Sequence, residues 1–245
     1  MDDRKVSGTE GKPRVPFAPN AEVYDASYYR AMYRPHWFLR NRRKYRERDA
    51  AMIRIVRPTP EIRILELGSA RGDSAFFFAP LVKEVVGIDA AKEAVVVARE
   101  EARRRKAANV RFEPADARDL SLFLGESFDV VLLADFVEHV EDDVLLPALA
   151  ESRRVLRAGG ALAIYTPNLD HWAERVKAGI PGLQQPDHIA VRRSARVVEI
   201  VQQSGFSVED LFFSASPYPL IGAVDRLFSS HGLCRFRTCL RARKN

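Results

Sequence analysis

Short apolar runs rich in Val, Ile, Leu and Phe alternate along the chain with longer stretches of helical periodicity. Strands and helices taking turns in this way build a parallel α/β sheet. Runs 62–68, 84–89, 110–115, 128–134 and 161–167 read as strands, and 207–213 with 234–242 as a closing pair. Helices are expected at 72–82, 91–107, 142–157 and 194–204. Two of them end in glycine, Gly159 after Arg157 and Gly205 after Ser204, where a left-handed residue stops a helix. The fold class is therefore α/β, a doubly wound, mostly parallel seven-stranded sheet. Residues 168–190 break the alternation with Gly and Pro. They read as an insertion at the C-terminal edge of the sheet, where open α/β folds hold their sites.

The ends differ from this body. Residues 1–20 have no core-forming pattern and no apolar centre of a secretion signal, so a disordered tail is expected. In 21–60, Phe38, Tyr45 and Met52 stand seven apart, which suits a helical cap lying as a lid over the sheet edge. Tyr28, Tyr29 and Trp37 in this segment are candidates to line an acceptor pocket. The main domain then runs over 61–245, long enough for a sizeable core in a chain that is 47% hydrophobic. No apolar run approaches the roughly 18 residues of a membrane span. Cys234 and Cys239 match neither a zinc pair nor a disulfide framework, and a reducing cytoplasm is the expected location.

Charge refines the picture. Residues 1–60 carry 14 Lys/Arg against 7 Asp/Glu, the last fifteen carry 5 basic side chains and no acid, and 61–230 carry 20 against 26. Basic ends flank an acidic body, so the high isoelectric point does not describe a nucleic-acid groove across the domain. Seven basic residues between Arg34 and Arg48, against one acid, read either as a solvated face or as a surface for an anionic substrate or membrane.

The stretch ILELGSARG, 64–72, joins a buried strand to a helix through Gly68 and Gly72. Glycine lets backbone approach a ligand, and the helix start offers free N–H groups. A ligand-free turn would read the same. Two acids add information: Asp89 ends the second strand, where a carboxylate can accept both hydroxyls of a ribose, and Asp116 ends the third. Each alone could instead cap the next helix. Together with the glycine turn they outline a nucleoside-shaped site.

A dinucleotide fingerprint would read G-x-G-x-x-G. Here the order is Glu66-x-Gly68-x-Ala70-x-Gly72, which resembles the class I S-adenosylmethionine-dependent methyltransferases over about residues 61–215. Ala70 replaces that family's middle glycine. The resemblance implies S-adenosyl-L-methionine as cofactor. It sets Glu66, Gly68, Ser69, Ala70 and Gly72 against the methionine part, Asp89 with Ala90 at the ribose, Asp116 with Ala117 at the adenine, and Asp135 beyond them.

The tip of the fourth strand reads LLADFVEHVEDD, and Asp135, Glu138 and His139 would share one face of a helix starting there. The Asn-Pro-Pro-aromatic motif of amino-directed enzymes is absent, which argues against a nucleic-acid base or protein amide as acceptor. The spacing resembles the E-x-x-E-H segment of the ubiquinone-pathway O-methyltransferases, with Asp in place of the first Glu. This implies methylation of oxygen on a small molecule, with His139 as base and Asp135 and Glu138 orienting it or binding a metal. Asp135 and Glu138 also form a capping-box-like pair. The segments YTPN and PDHIA resemble the small-RNA 2′-O-methyltransferases, in which a second histidine completes a metal site. Asp135, Glu138, His139 and His188 are then candidate ligands for a divalent ion. The metal-free version is preferred, because the acids have a capping role open to them. Two alternatives stand beside the small-molecule reading: RNA 2′-O-methylation, and a non-catalytic S-adenosylmethionine-binding protein. A small-molecule acceptor is the expected partner rather than nucleic acid, and neither the acceptor nor the oligomeric state is written in these motifs.

Overall fold

The computed structural model describes residues 42–180, 188–216, 219–228 and 232–245. The element order is α1 (Arg42–Val56), β1 (Arg63–Leu67), α2 (Asp73–Phe78), β2 (Glu84–Asp89), α3 (Lys92–Arg105), β3 (Val110–Pro114) and β4 (Phe128–Ala134), continuing with α4 (Asp142–Val155), β5 (Leu156–Pro167), α5 (Trp172–Gly179), α6 (Ser194–Gln203), β6 (Phe206–Ser214), α7 (Pro219–Leu227) and β7 (Arg237–Lys244). All seven expected strands form one sheet, in the order β3-β2-β1-β4-β5-β7-β6. Strands β1 to β5 are parallel, and β7 runs antiparallel between β5 and β6. The order reverses between β1 and β4, so the connections leave in opposite directions and open a crevice at the C-terminal edge.

Period-two alternation sends neighbouring side chains to opposite faces. In β1, Leu65 and Leu67 join one core cluster with Val144 and Leu145 of α4 and Ile200 of α6. Ile64 joins the other with Phe76 and Phe78 of α2, Val95 of α3, and Met52 and Ile55 of α1. In β4, Val131 and Leu133 face the first cluster, and Val130 and Leu132 the second. Both faces are covered, which is why these strands read as unbroken apolar runs. Two helices stop short of the expected ends. α4 gives way at Leu156, which is already extended and begins β5, and α2 ends at Phe78 before a 3-10 turn through Pro80.

Tail residues 1–20 and the cap's Tyr28, Tyr29, Trp37 and Phe38 lie outside the described residues, as do 181–187 of the insertion. The described part of the cap, α1, lies on a face of the sheet. Met52 and Ile55 are fully buried there, and Arg241 of β7 donates to the carbonyls of Ile55 (2.7 Å) and Val56 (3.1 Å) at the helix end. Arg54 pairs with Asp210 and sits 3.8 Å from the Phe212 ring centre on β6. Because Met52 is core, Met52→Ala should lower stability by about 2–5 kcal/mol in chemical denaturation. A loss below about 0.5 kcal/mol would show α1 to be loosely attached. Among the described residues no helix is long and apolar enough to cross a membrane.

Candidate active site

The turn after β1 takes three left-handed residues in five: Gly68 (φ 68°), Ala70 (φ 45°) and Gly72 (φ 88°). A side chain at Gly68 would meet the Phe136 ring, with a Cβ only 2.6 Å from Cδ2, and one at Gly72 would meet Phe112 and Phe76. Both glycines are thus demanded by aromatic neighbours as well as by backbone conformation. Gly68→Val would strike Phe136 first and would not report on a ligand. Ala70, at the position where the family pattern has glycine, keeps the left-handed conformation at a modest steric cost. Ser69 is buried, its N–H donating to the Ile88 carbonyl (2.8 Å).

Asp89 closes this turn onto β2. Its Oδ2 accepts the Ala70 N–H (2.8 Å) and its Oδ1 the Ala91 N–H (2.8 Å). The N-cap of α3 is Ala91, not Asp89. Burial raises the Asp89 pKa, while the two N–H groups and the nearby His139 pull it back. Ala90 follows at the strand tip, exposed. Each carboxylate oxygen has a second lone pair left for a ligand. Asp116 is held locally: its carboxylate takes the Arg118 N–H (2.9 Å) and pairs with the Arg118 guanidinium (2.6 Å), which lowers its pKa. The adjoining Ala117 is buried.

Glu66 faces inward from β1 with 2% exposure, and its Oε2 has no hydrogen-bond partner. Burial pushes its carboxyl up to about 8, against a hydrogen bond with Ser74 and the charge of Arg48. A carboxyl raised on folding favours the folded state fully below its unfolded value of 4.5, and that contribution is lost as pH rises through about 8. In ligand-free protein, Glu66→Gln should therefore become progressively more stable than wild type between about pH 4.5 and pH 8, and the difference should level off above that. Parallel melting curves for the two proteins across that range would show the carboxyl to be already ionised.

At the tip of β4, Asp135 is left-handed (φ 52°). Two arginines from distant parts of the chain hold its carboxylate. Arg48 of α1 approaches Oδ2 (3.3 Å) while donating to Ser74 Oγ (2.9 Å), and Arg237 of β7 approaches Oδ1 (3.1 Å). One 3-10 turn follows, Val137–His139, without a side-chain cap. The expected capping box does not form, because Asp135 turns to the arginines instead. Glu138 is 1% exposed; its Oε2 accepts the Thr166 hydroxyl (2.9 Å), and its Oε1 stays 3.7 Å from Arg237. Burial and Asp135 push Glu138 up to about 7, against His139 and Arg237.

The His139 and His188 rings meet edge to face, 5.0 Å between centres. His188 gets there because the returning segment of the insertion is pinned to the β4 turn. Ala190 N–H donates to the Glu138 carbonyl (3.0 Å), and Arg192 donates to the carbonyls of Val137 (2.6 Å) and Val140 (2.9 Å) and pairs with Asp142 (2.7 Å). Buried Asn168 bonds both ends of the insertion, accepting from Asp170 N and Ser194 N. Ligand atoms of Glu138, His139 and His188 all lie within 4.8 Å of one another. Asp135 is not in this group, so three of the four residues expected around a metal come together.

Residues 64–160 match the methyltransferase domain family. The chain contains a class I methyltransferase domain. An uncharacterised methyltransferase, YcgJ, of Bacillus subtilis is 31% identical over 161 residues, covering 65% of this chain and 55% of that one. A ubiquinone biosynthesis O-methyltransferase of Cereibacter sphaeroides is 36% identical over 111 residues, 45% of this chain and 43% of its own. The match thus spans about half the length of these relatives. The crystal structure of PH0226 protein from Pyrococcus horikoshii shares the fold, with TM-score 0.68, 21% identity, and coverage of 89% of this chain and 99% of that one.

Around the methyltransferase domain, the site contains residues that sequence reading missed. Arg48 belonged to a basic run that reads as a solvated face or as a surface for an anionic partner, yet its side chain is only 13% exposed. Arg237 comes to the edge because β7 is antiparallel, which sets it beside Pro167 at the end of β5. Thr166 and Asn168 stand in the quoted YTPN segment, without a sign of their buried hydrogen bonds.

Proposed function

We propose that the chain transfers the methyl group of S-adenosylmethionine to a hydroxyl oxygen of a small-molecule acceptor, with His139 taking the hydroxyl proton. The observation that carries this reading is the group Glu138–His139–His188 at the β4 tip, with His139 near enough to Asp89 to affect its charge. The residues around the turn suit the cofactor. Asp89 has lone pairs for the ribose hydroxyls, Ala90 and Ala117 supply apolar contacts, and Asp116 would share its Arg118-bound carboxylate with the adenine amine. Glu66 and Asp135 face the cationic ammonium and sulfonium side, and Arg48 offers a guanidinium to the methionine carboxylate.

In this mechanism the acceptor oxygen forms a bond to the methyl carbon as the carbon–sulfur bond breaks. His139 accepts the hydroxyl proton, and S-adenosylhomocysteine leaves. Glu138, bound to Thr166 and close to Arg237, fixes the turn that carries His139. The protein's contribution is alignment and proton acceptance. The ubiquinone biosynthesis O-methyltransferases that share the matched region support oxygen as the acceptor atom.

The same group supports a second arrangement. Glu138, His139 and His188 would hold a divalent ion through one carboxylate and two imidazoles, a mixed set suited to Mn²⁺ or Fe²⁺. Such an ion would lower the acceptor's hydroxyl pKa. The test is transfer of a labelled methyl group to an extract of small hydroxylic compounds, with and without chelator. Label in an alkali-stable methyl ether supports the proposal. Activity that survives chelator assigns the proton to His139 alone, and activity lost and restored by Mn²⁺ assigns the ion. Cofactor binding without transfer to any hydroxylic compound would contradict the proposal and leave a binding protein.

A further inference from the structure

Asp135 is one carboxylate between two guanidiniums, and the two stand on different sides of it. Arg48 lies toward Glu66 and the start of α2, through its bond to Ser74. Arg237 lies toward Glu138 at the end of β5, away from the glycine turn. Neighbouring acids do not saturate Arg237. Glu138 Oε1 is 3.7 Å away, beyond hydrogen-bond length, and Oε2 is committed to Thr166. The Nε of Arg237 is buried with no acceptor. A buried donor without an acceptor is costly, and a ligand oxygen placed there removes that cost. Aromatic rings flank the guanidinium, with Tyr165 at 5.5 Å and Phe236 at 5.1 Å. A planar guanidinium between rings suits a carboxylate on a flat molecule.

We infer that Arg237 receives a carboxylate carried by the acceptor itself, so that the substrates are hydroxy acids rather than neutral alcohols or phenols. This rests on the methyl-transfer reading and specifies its acceptor. A carboxylate at this edge has two sources, the acceptor and the methionine part of the cofactor. Arg48 stands on the cofactor side, which leaves Arg237 for the acceptor.

The experiment is calorimetry on the full chain saturated with S-adenosylhomocysteine, titrated with protocatechuate and with catechol, which differ by one carboxylate. Wild type should bind protocatechuate roughly ten- to hundredfold more tightly than catechol. At saturating S-adenosylhomocysteine, Arg237→Gln should lose that preference, weakening protocatechuate at least about tenfold more than catechol. Arg237→Lys should regain part of it, which a purely structural role for the side chain would not produce. The wild-type comparison decides the matter even if the Gln variant fails to fold. Normal cofactor binding without a protocatechuate preference overturns this inference alone. So does an Arg237→Gln variant that keeps the preference and loses cofactor affinity, since that assigns the guanidinium to the methionine carboxylate. Absence of S-adenosylmethionine binding in wild type overturns the methyl-transfer reading, and this inference with it.

Discussion

Replacing His139 with Ala should slow methyl transfer by roughly 10²- to 10⁴-fold, the range for removal of a general base. S-adenosylmethionine affinity should stay within a few-fold, because the proposed cofactor side is formed by the backbone turn and Asp89, not by this imidazole. His188→Ala separates the two arrangements of the group. If His139 works alone, His188 only packs against it, and its removal should cost less than about tenfold. If the pair holds an ion with Glu138, the two variants should be equally impaired, and the wild type should lose activity to chelator. Single-turnover rates for the two variants, measured at saturating cofactor, give the comparison. An unchanged rate in folded His139→Ala protein would remove this residue from the chemistry.

Asp89→Ala should weaken S-adenosylmethionine binding about ten- to hundredfold, the equivalent of roughly 1.5–3 kcal/mol for charge-assisted hydrogen bonds. The same carboxylate accepts the Ala70 and Ala91 N–H groups, so the variant also loosens the turn it closes. Asp89→Asn distinguishes these effects. Its amide oxygen can still accept one N–H, so it should keep most of the stability while losing the charge that a ribose needs. Equal affinity in Asn and wild-type proteins would mean that Asp89 serves the turn and not the cofactor.

The sheet was legible because burial on both faces leaves apolar runs with sharp ends, as at Asp89 after VGI or Asp135 after LLA. Helix ends were less so. The glycines at 159 and 160 suggested a stop, but Leu156 had already turned extended to begin β5. The α1 segment shows a further limit. Spacing at Met52 describes an amphipathic helix equally well whether it covers an edge or a face, and only packing puts Met52 and Ile55 in the core.

In the site, the glycine turn and the strand-tip acids are local features, each a few residues long, and a linear pattern displays them. The arginine clamp on Asp135 is not local. It joins residues 48, 135 and 237, and depends on β7 running back toward the active edge. For the same reason the four-residue metal set, in which helical spacing grouped Asp135, Glu138 and His139 and a resemblance added His188, overlooked that Asp135 has stronger partners. His188 reached His139 through Arg192 and Ala190, whose hydrogen bonds no motif announces.

The central claim is that the turn at 66–72 and Asp89 form one site for S-adenosylmethionine. Titration calorimetry of the cofactor into folded wild-type and Asp89→Asn proteins tests it most directly. The account predicts one molecule bound per chain, with the variant at least about tenfold weaker. No heat of binding in the wild type, or identical affinity in both proteins, would contradict it.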